Sequence, residues 1–181
     1  MKIKTILLLL LITSIGISNA QIKSLSIGTT LGVGEIKSNS PSIASMGGGF
    51  FIGIQPSFAD DFSFRFSFIY NSDIDYFLPG NSTNKSYPYI TSYSIKIYTE
   101  QLLQGIIYSE EGVGPLVIND RTFDDTDVWN YGLSFSALVG LNFQNDQNVG
   151  FKIGVGFDYG NTFNNTAANY YLTYIQLQYQ F

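Results

Sequence analysis

The sequence predicts an all-β protein, an eight-stranded antiparallel up-and-down transmembrane β-barrel. Three observations carry that reading. Apolar side chains alternate with small or polar ones in a strict two-residue period through most of the chain, whereas no segment after residue 21 keeps a helical period or holds 18 consecutive apolar residues. The 181 residues are 45% apolar, 16% aromatic and only 13% charged, with 18 Gly, a composition of Gly-punctuated strands rather than of a disordered chain. The polar stretches between strands alternate long and short, as in a barrel with short periplasmic turns and four long extracellular loops.

The first element is an export signal. Residues 1–20 carry Lys2 and Lys4, an apolar run from Ile6 to Ile17, and then Ser18-Asn19-Ala20. Small residues at the third and first positions before Gln21 fit a signal-peptidase site. The run is short for a membrane span and is broken by Thr13, Ser14 and Gly16, which favours a cleaved signal peptide at 1–20 over a membrane anchor, with residues 21–181 forming the barrel domain. No Cys follows, so a lipid-anchored precursor is excluded, and loss of Lys2 and Lys4 leaves a net charge of −7.

Eight strands follow, seven clear and one inferred. In the first, Leu25, Ile27, Thr29, Leu31 and Val33 alternate with Ser24, Ser26, Gly28, Thr30 and Gly32. The second has Phe50, Ile52, Ile54 and Phe58 on one face, with Pro56 near its end, and the third sets Phe62, Phe64, Phe66, Phe68 and Tyr70 against Asp61, Ser63, Arg65 and Ser67. Tyr87, Tyr89, Tyr93, Ile95 and Ile97 form the apolar face of the fourth. The inferred strand lies around Glu100 to Tyr108, where Leu102, Leu103, Ile106 and Ile107 choose no face. The sixth, Trp129 to Phe143, is the clearest, and runs from Val149 to Tyr159 and from Tyr171 to Phe181 complete the set. Long polar stretches lie at 35–46, 72–86, 109–127 and 160–169, and short ones near 59–61, 98–101 and 144–147.

The period alone does not say which face meets lipid, since a soluble lipocalin-type barrel also alternates but turns its apolar face inward. Two features decide. Tyr70, Tyr87, Tyr89, Trp129, Tyr131, Tyr159 and Tyr171 lie on the apolar face toward the long-loop ends, where an interfacial aromatic girdle belongs. The opposite face is rich in Gly, Ser and Gln, suited to a narrow lumen.

With these features in view, the chain resembles the small outer-membrane β-barrel proteins of the OmpX/OmpA/opacity type over its whole mature length, and its Asn-, Ile- and Tyr-rich composition resembles Bacteroidota versions. The run Tyr171-Leu172-Thr173-Tyr174-Ile175-Gln176-Leu177-Gln178-Tyr179-Gln180-Phe181 carries the likeness. The resemblance implies location in the outer membrane, contact with its lipid and lipopolysaccharide, and an assembly signal at Ile175, Leu177, Tyr179 and Phe181 read by the barrel-assembly machinery. It says little about activity, because one such fold hosts unrelated functions.

Chemistry is thin. Zero Cys removes disulfides, thiolate metal sites and thiol nucleophiles, and zero His removes the commonest general base and metal ligand. The barrel enzymes of this membrane use His, so the chain reads as a non-enzyme with no catalytic, cofactor or metal site. Its 9 basic against 14 acidic residues argue against nucleic acid. Gly47-Gly48-Gly49 lacks the strand–loop–helix context of a phosphate cradle. Arg65, Lys96, Lys152 and Asp158 fall on the polar face, as does Glu100 if its strand keeps phase; these five are expected to form a lumen charge cluster, with Glu100 the carboxylate mapped beside the three cations. Glu110, Glu111, Asp120, Asp124, Asp125 and Asp127 read as solvated charge on the third long loop, without an EF-hand pattern. Tyr76, Phe77 and Leu78 in the second form an apolar group expected to pack toward the girdle, with contact to a partner or lipopolysaccharide as the alternative. The function expected is that of a monomeric non-enzymatic barrel in envelope structure or surface interaction, with an unidentified loop-binding partner. The alternative is a narrow channel or carrier for small or hydrophobic molecules.

Overall fold

A computed structural model describes residues 22–38, 41–59, 62–78, 86–122, 127–145, 149–163 and 167–181; the segment 1–20, Asp124 and Asp125 lie outside the described residues. Eight strands, β1 (Ile22–Lys37), β2 (Ile43–Pro56), β3 (Phe62–Asp73), β4 (Tyr89–Gln104), β5 (Ile107–Arg121), β6 (Val128–Gln144), β7 (Gly150–Thr162) and β8 (Asn169–Gln180), pair antiparallel in chain order. β8 closes on β1 from Ser26↔Gln180 to Lys37↔Asn169, so the sheet has no free edge along this seam.

Alternation decides which side chains face out. Leu31, Phe66, Leu133, Val155 and Ile175 are exposed on the outside, while Ser67, Ser94, Ser136, Gln176 and Gln178 are buried inside. A water-soluble barrel would invert this pattern. An apolar exterior with every ladder closed is the arrangement hydrocarbon demands, because lipid offers nothing to an unpaired N–H or C=O. The barrel is a transmembrane one.

The hairpin β4–β5 departs from the sequence reading. β4 continues through Gln104, and β5 begins at Ile107, so the turn is Gly105-Ile106 instead of residues 98–101. Gly105 sits at φ +56°, in the left-handed region that glycine enters without a steric cost. Leu102-Leu103 lies just before this tight turn and Ile106-Ile107 straddles its end, which is why the two pairs showed no common face. The stretch 109–127, read as a long loop, is therefore mostly β5. β5 runs on to Arg121, and β1, β2, β7 and β8 also extend into stretches read as loops, so the connections at 38–42, 122–127 and 163–168 are short and 74–88 is the long connection at that end, with a short 3-10 helix at Ile74–Phe77. Both described chain ends lie at the opposite, short-turn end with 57–61, 105–106 and 145–149.

Eight strands curve tightly, and some inward positions leave no room for a side chain. A Cβ at Gly114 would come within 1.9 Å of the Ile95 carbonyl oxygen. Gly114→Val is expected to lower the urea midpoint of the folded protein in detergent by an amount equivalent to at least the ~1–3 kcal/mol of ordinary overpacking. An unchanged midpoint would mean that the backbone relaxes there. The closed ladder also predicts a heat-modifiable band: unboiled protein should run faster than boiled protein on a detergent gel, and equal mobility would contradict closure.

The lumen charge network and the barrel surface

Arg65 on β3, Lys96 and Glu100 on β4, and Lys152 and Asp158 on β7 all occupy inward positions of their strands. The structure divides them into separate pairs rather than a cluster around Glu100. Lys96 bonds Asp158, which also accepts the Tyr170 hydroxyl at 2.7 Å. Lys152 bonds Glu100, whose side chain is 35% exposed against 2% for the lysine, so this pair stands at the wet mouth of the lumen.

Arg65 has a partner that sequence reasoning placed in solvent. Glu110, on β5 and not in a loop, is 2% exposed, and its Oε1 and Oε2 accept from Arg65 Nη2 at 3.2 and 3.1 Å. Arg65 Nη1 donates to Gln176 Oε1 at 3.3 Å and Nη2 to Gln178 Oε1 at 3.1 Å. The guanidinium lies between two rings, with its carbon 4.2 Å from the centroid of Phe51 and 4.0 Å from that of Tyr98. A planar, weakly hydrated cation suits such a site, where it can bond in its plane and stack across its faces. The signal for Glu110 was available: it shares even parity with Tyr108, Gly112 and Leu116 once β5 is placed from Ile107.

Toward the long-connection end an apolar cluster enters the interior, beside the buried polar side chains Ser45, Asn71 and Asn130. Ile36, Ile69, Ile90, Leu116, Ile118 and Leu172 are almost wholly buried and belong to one cluster with Tyr170 and Tyr174. Between this layer and Arg65, the space bordered by Ser67, Asp158 and Tyr174 has a volume of about 10 Å³, room for no more than a single water. Above the layer, Ser38 at the end of β1 donates to Asp120 at the end of β5, on the opposite wall of the ring. Thr122 N and Oγ1 donate to the other Asp120 oxygen at 3.0 and 2.8 Å. Asp120, read as a solvated loop charge, is thus a buried cross-lumen tie. Asp127 does remain at the surface and pairs with Arg121 at 2.7 Å.

Outside, aromatic rings make runs around the barrel. Phe50, Phe68, Tyr93 and Trp129 touch in sequence from β2 to β6, with centroid separations of 5.1, 5.3 and 6.1 Å. Phe135, Phe157 and Tyr171 continue from β6 to β8 at 5.7 and 6.0 Å. Of the expected girdle residues, Tyr70 packs on Tyr89 at 5.4 Å, and Tyr131 and Tyr159 are exposed on the outer face. Tyr87 sits in the connection before β4 and packs on Tyr76 at 5.7 Å, while Tyr76, Phe77 and Leu78 remain about half exposed. At the other end Tyr179 lies between Phe151 and Phe181, at 4.7 and 4.8 Å. Ile175, Leu177 and Phe181 share its outward face, and Phe181 N donates to Leu25 O at 2.8 Å.

No family model and no curated protein sequence matches the chain. Solved structures do. Neisserial surface protein A aligns with a TM-score of 0.69 at 9% identity, over 87% of this chain and 97% of its own. Ail of Yersinia pestis, in complex with the heparin analogue sucrose octasulfate, gives 0.54 at 13% identity over 87% and 98%. The N-terminal β-barrel domain of Pseudomonas aeruginosa OprF gives 0.54 at 13% over 88% and 98%. The chain therefore has the fold of the small eight-stranded outer-membrane barrels.

The paired lumen predicts a distinctive stability pattern. Glu110→Ala leaves a buried guanidinium without its carboxylate and should cost roughly 3–5 kcal/mol, less whatever mouth water returns. Replacing both partners, Arg65→Met with Glu110→Leu, should cost clearly less than Glu110→Ala alone. Equilibrium unfolding in urea measures both, and equal losses from the single and double variants would remove the ion pair from the account. Glu100→Ala, which strands only Lys152 near the mouth, should cost less than Glu110→Ala.

Proposed function

We propose that the chain is a non-enzymatic, monomeric, integral outer-membrane barrel acting in envelope structure or surface interaction. The filled interior is the observation that carries this reading. Ion pairs and an apolar layer block the lumen beyond Arg65, so the parts left to act are the outer face, bathed in membrane lipid and lipopolysaccharide, and the two ends of the barrel. A narrow channel would need a continuous wet path, and the space beside Arg65 does not supply one. The described residues bring together no group of three metal-ligating His, Cys, Asp or Glu side chains.

Orientation follows from the same reading. The short-turn end with both described termini faces the periplasm, and the connection at 74–88 faces outward. Tyr76, Phe77 and Leu78 on that connection, beside Asp73 and Asp75, offer the exposed apolar surface for a partner. Export by the cleaved signal at 1–20 and delivery to the assembly machinery through Ile175, Leu177, Tyr179 and Phe181 complete the route.

Reconstitution into a planar bilayer tests the closed lumen. Wild-type protein should give no stable conductance steps, whereas steady ohmic current at low voltage would favour the channel reading. Deleting Phe181 tests the route. Outer-membrane yield should fall while any assembled barrel melts within a few degrees of wild type; undiminished yield would refute the assembly signal.

A further inference from the structure

At the short-turn end the lumen widens into a cavity of about 280 Å³. Its volume approaches the lower limit of ordinary small-molecule sites, about 300 Å³, but its lining is unlike theirs, being polar rather than apolar. Ser24, Ser26, Gln55, Asn142, Gln178 and Gln180 supply hydroxyls and carboxamides to its wall, and Arg65 with Glu110 forms part of it. Leu102 and Phe62 stand at the rim, both exposed.

We propose that this vestibule binds a neutral saccharide bearing hydroxyl and acetamido groups. Charge argues for neutrality. Arg65 is held by Glu110 and Lys152 by Glu100, so an anionic ligand would have to displace a carboxylate from either of these inner cations, and a cationic ligand the reverse, while the third cation of the lining, Lys23, is exposed at the mouth. Carboxamides argue for the ligand's groups: the side-chain bonds within the wall use Gln178 at Oε1 and Gln180 at Nε2, so the Gln178 amide NH2 and the Gln180 carbonyl are the donor and acceptor that match an acetamido group or a pair of neighbouring hydroxyls. Gln144 adds capacity. Its Oε1 accepts from Asn142 at 3.1 Å, but its Nε2 is buried without a hydrogen-bond partner, so turning this amide into the cavity would sacrifice no bond at the nitrogen. The rim side chains Leu102 and Phe62 match the apolar C–H face of a sugar ring. The cavity's size limits the occupant to one or two rings, either a free sugar or the end of a glycan chain.

This site stands apart from the closed-lumen reading, because it opens at one end only and needs no conduction. The test uses the full barrel in lipid nanodiscs, titrated calorimetrically with diacetylchitobiose, maltose and sodium phosphate. Saturable chitobiose binding is expected, at least several-fold tighter than maltose, with no phosphate binding. Gln180→Leu with Gln144→Leu should weaken it about tenfold while the heat-modifiable gel shift stays as in wild type. If that pair fails to fold, Asn142→Leu alone serves, with the same expectation. Cosedimentation with purified murein sacculi separates the sources: retention indicates a glycan end, and its absence with chitobiose still binding indicates a free sugar. No saturable chitobiose binding, phosphate binding in its place, or equal affinity in a folded variant would overturn the proposal. A conducting wild-type barrel would instead count against the functional reading while leaving this site intact.

Discussion

The pairing of β1 with β8, from Ser26↔Gln180 to Lys37↔Asn169, closes the sheet on itself, and the remaining features depend on that closure. In hydrocarbon an unpaired backbone amide has no solvent to turn to, so an open edge along either strand would be untenable. Once the ring is closed, each strand has an outside and an inside. The outside must be apolar, which accounts for the exposed Leu, Ile, Val and Phe positions. The inside, only a few side chains wide, must satisfy its own polar groups without bulk water.

The chain meets most of the second demand in layers, although both amide atoms of Asn71 and the Tyr108 hydroxyl are buried without a hydrogen-bond partner. Lys152 with Glu100 stays near water, where a charged pair needs least support from the protein. Arg65 with Glu110 lies deeper and gains two glutamines and two aromatic faces. Lys96 with Asp158, deeper still, recruits Tyr170. Beyond these, isoleucines and leucines fill the bore, and Ser38 reaches across to Asp120. Lys152–Glu100 and Lys96–Asp158 join β4 to β7, and Arg65 on β3 reaches Glu110 on β5 and Gln176 and Gln178 on β8, so the network ties strands that the backbone ladder does not pair.

Fold and lipid-facing surface were legible because both rest on a two-residue period that closure and lipid impose on every strand. The misplaced hairpin shows where that signal fails. A two-residue turn at Gly105-Ile106 with leucines just before it and isoleucines straddling its end erases the alternation at the point where a boundary had to be read. That error carried Glu110 and most of β5 into a loop and hid the partner of Arg65. The inner apolar layer was obscured differently. In β8 both phases are apolar at its start, since Tyr170, Leu172 and Tyr174 point inward opposite to Tyr171 and Ile175, so local pattern could not reveal an apolar bore. Pairing partners across the lumen are set by which strands oppose each other, and that follows only from the closed ring.

The central claim is the inside-out arrangement, and the absence of cysteine makes it directly measurable. Single cysteines placed along β8 from Tyr171 to Gln180, each spin-labelled in lipid nanodiscs, report collision with oxygen, which concentrates in lipid, and with a water-soluble nickel chelate. The account predicts that oxygen accessibility oscillates with a two-residue period, high at Tyr171, Thr173, Ile175, Leu177 and Tyr179 and low at the positions between them. Nickel accessibility should stay low at Leu172 and Tyr174 and rise only toward Gln178 and Gln180, where the vestibule opens. A flat oxygen profile, or one with its maxima at Gln176 and Gln178, would contradict a barrel whose polar face is turned inward.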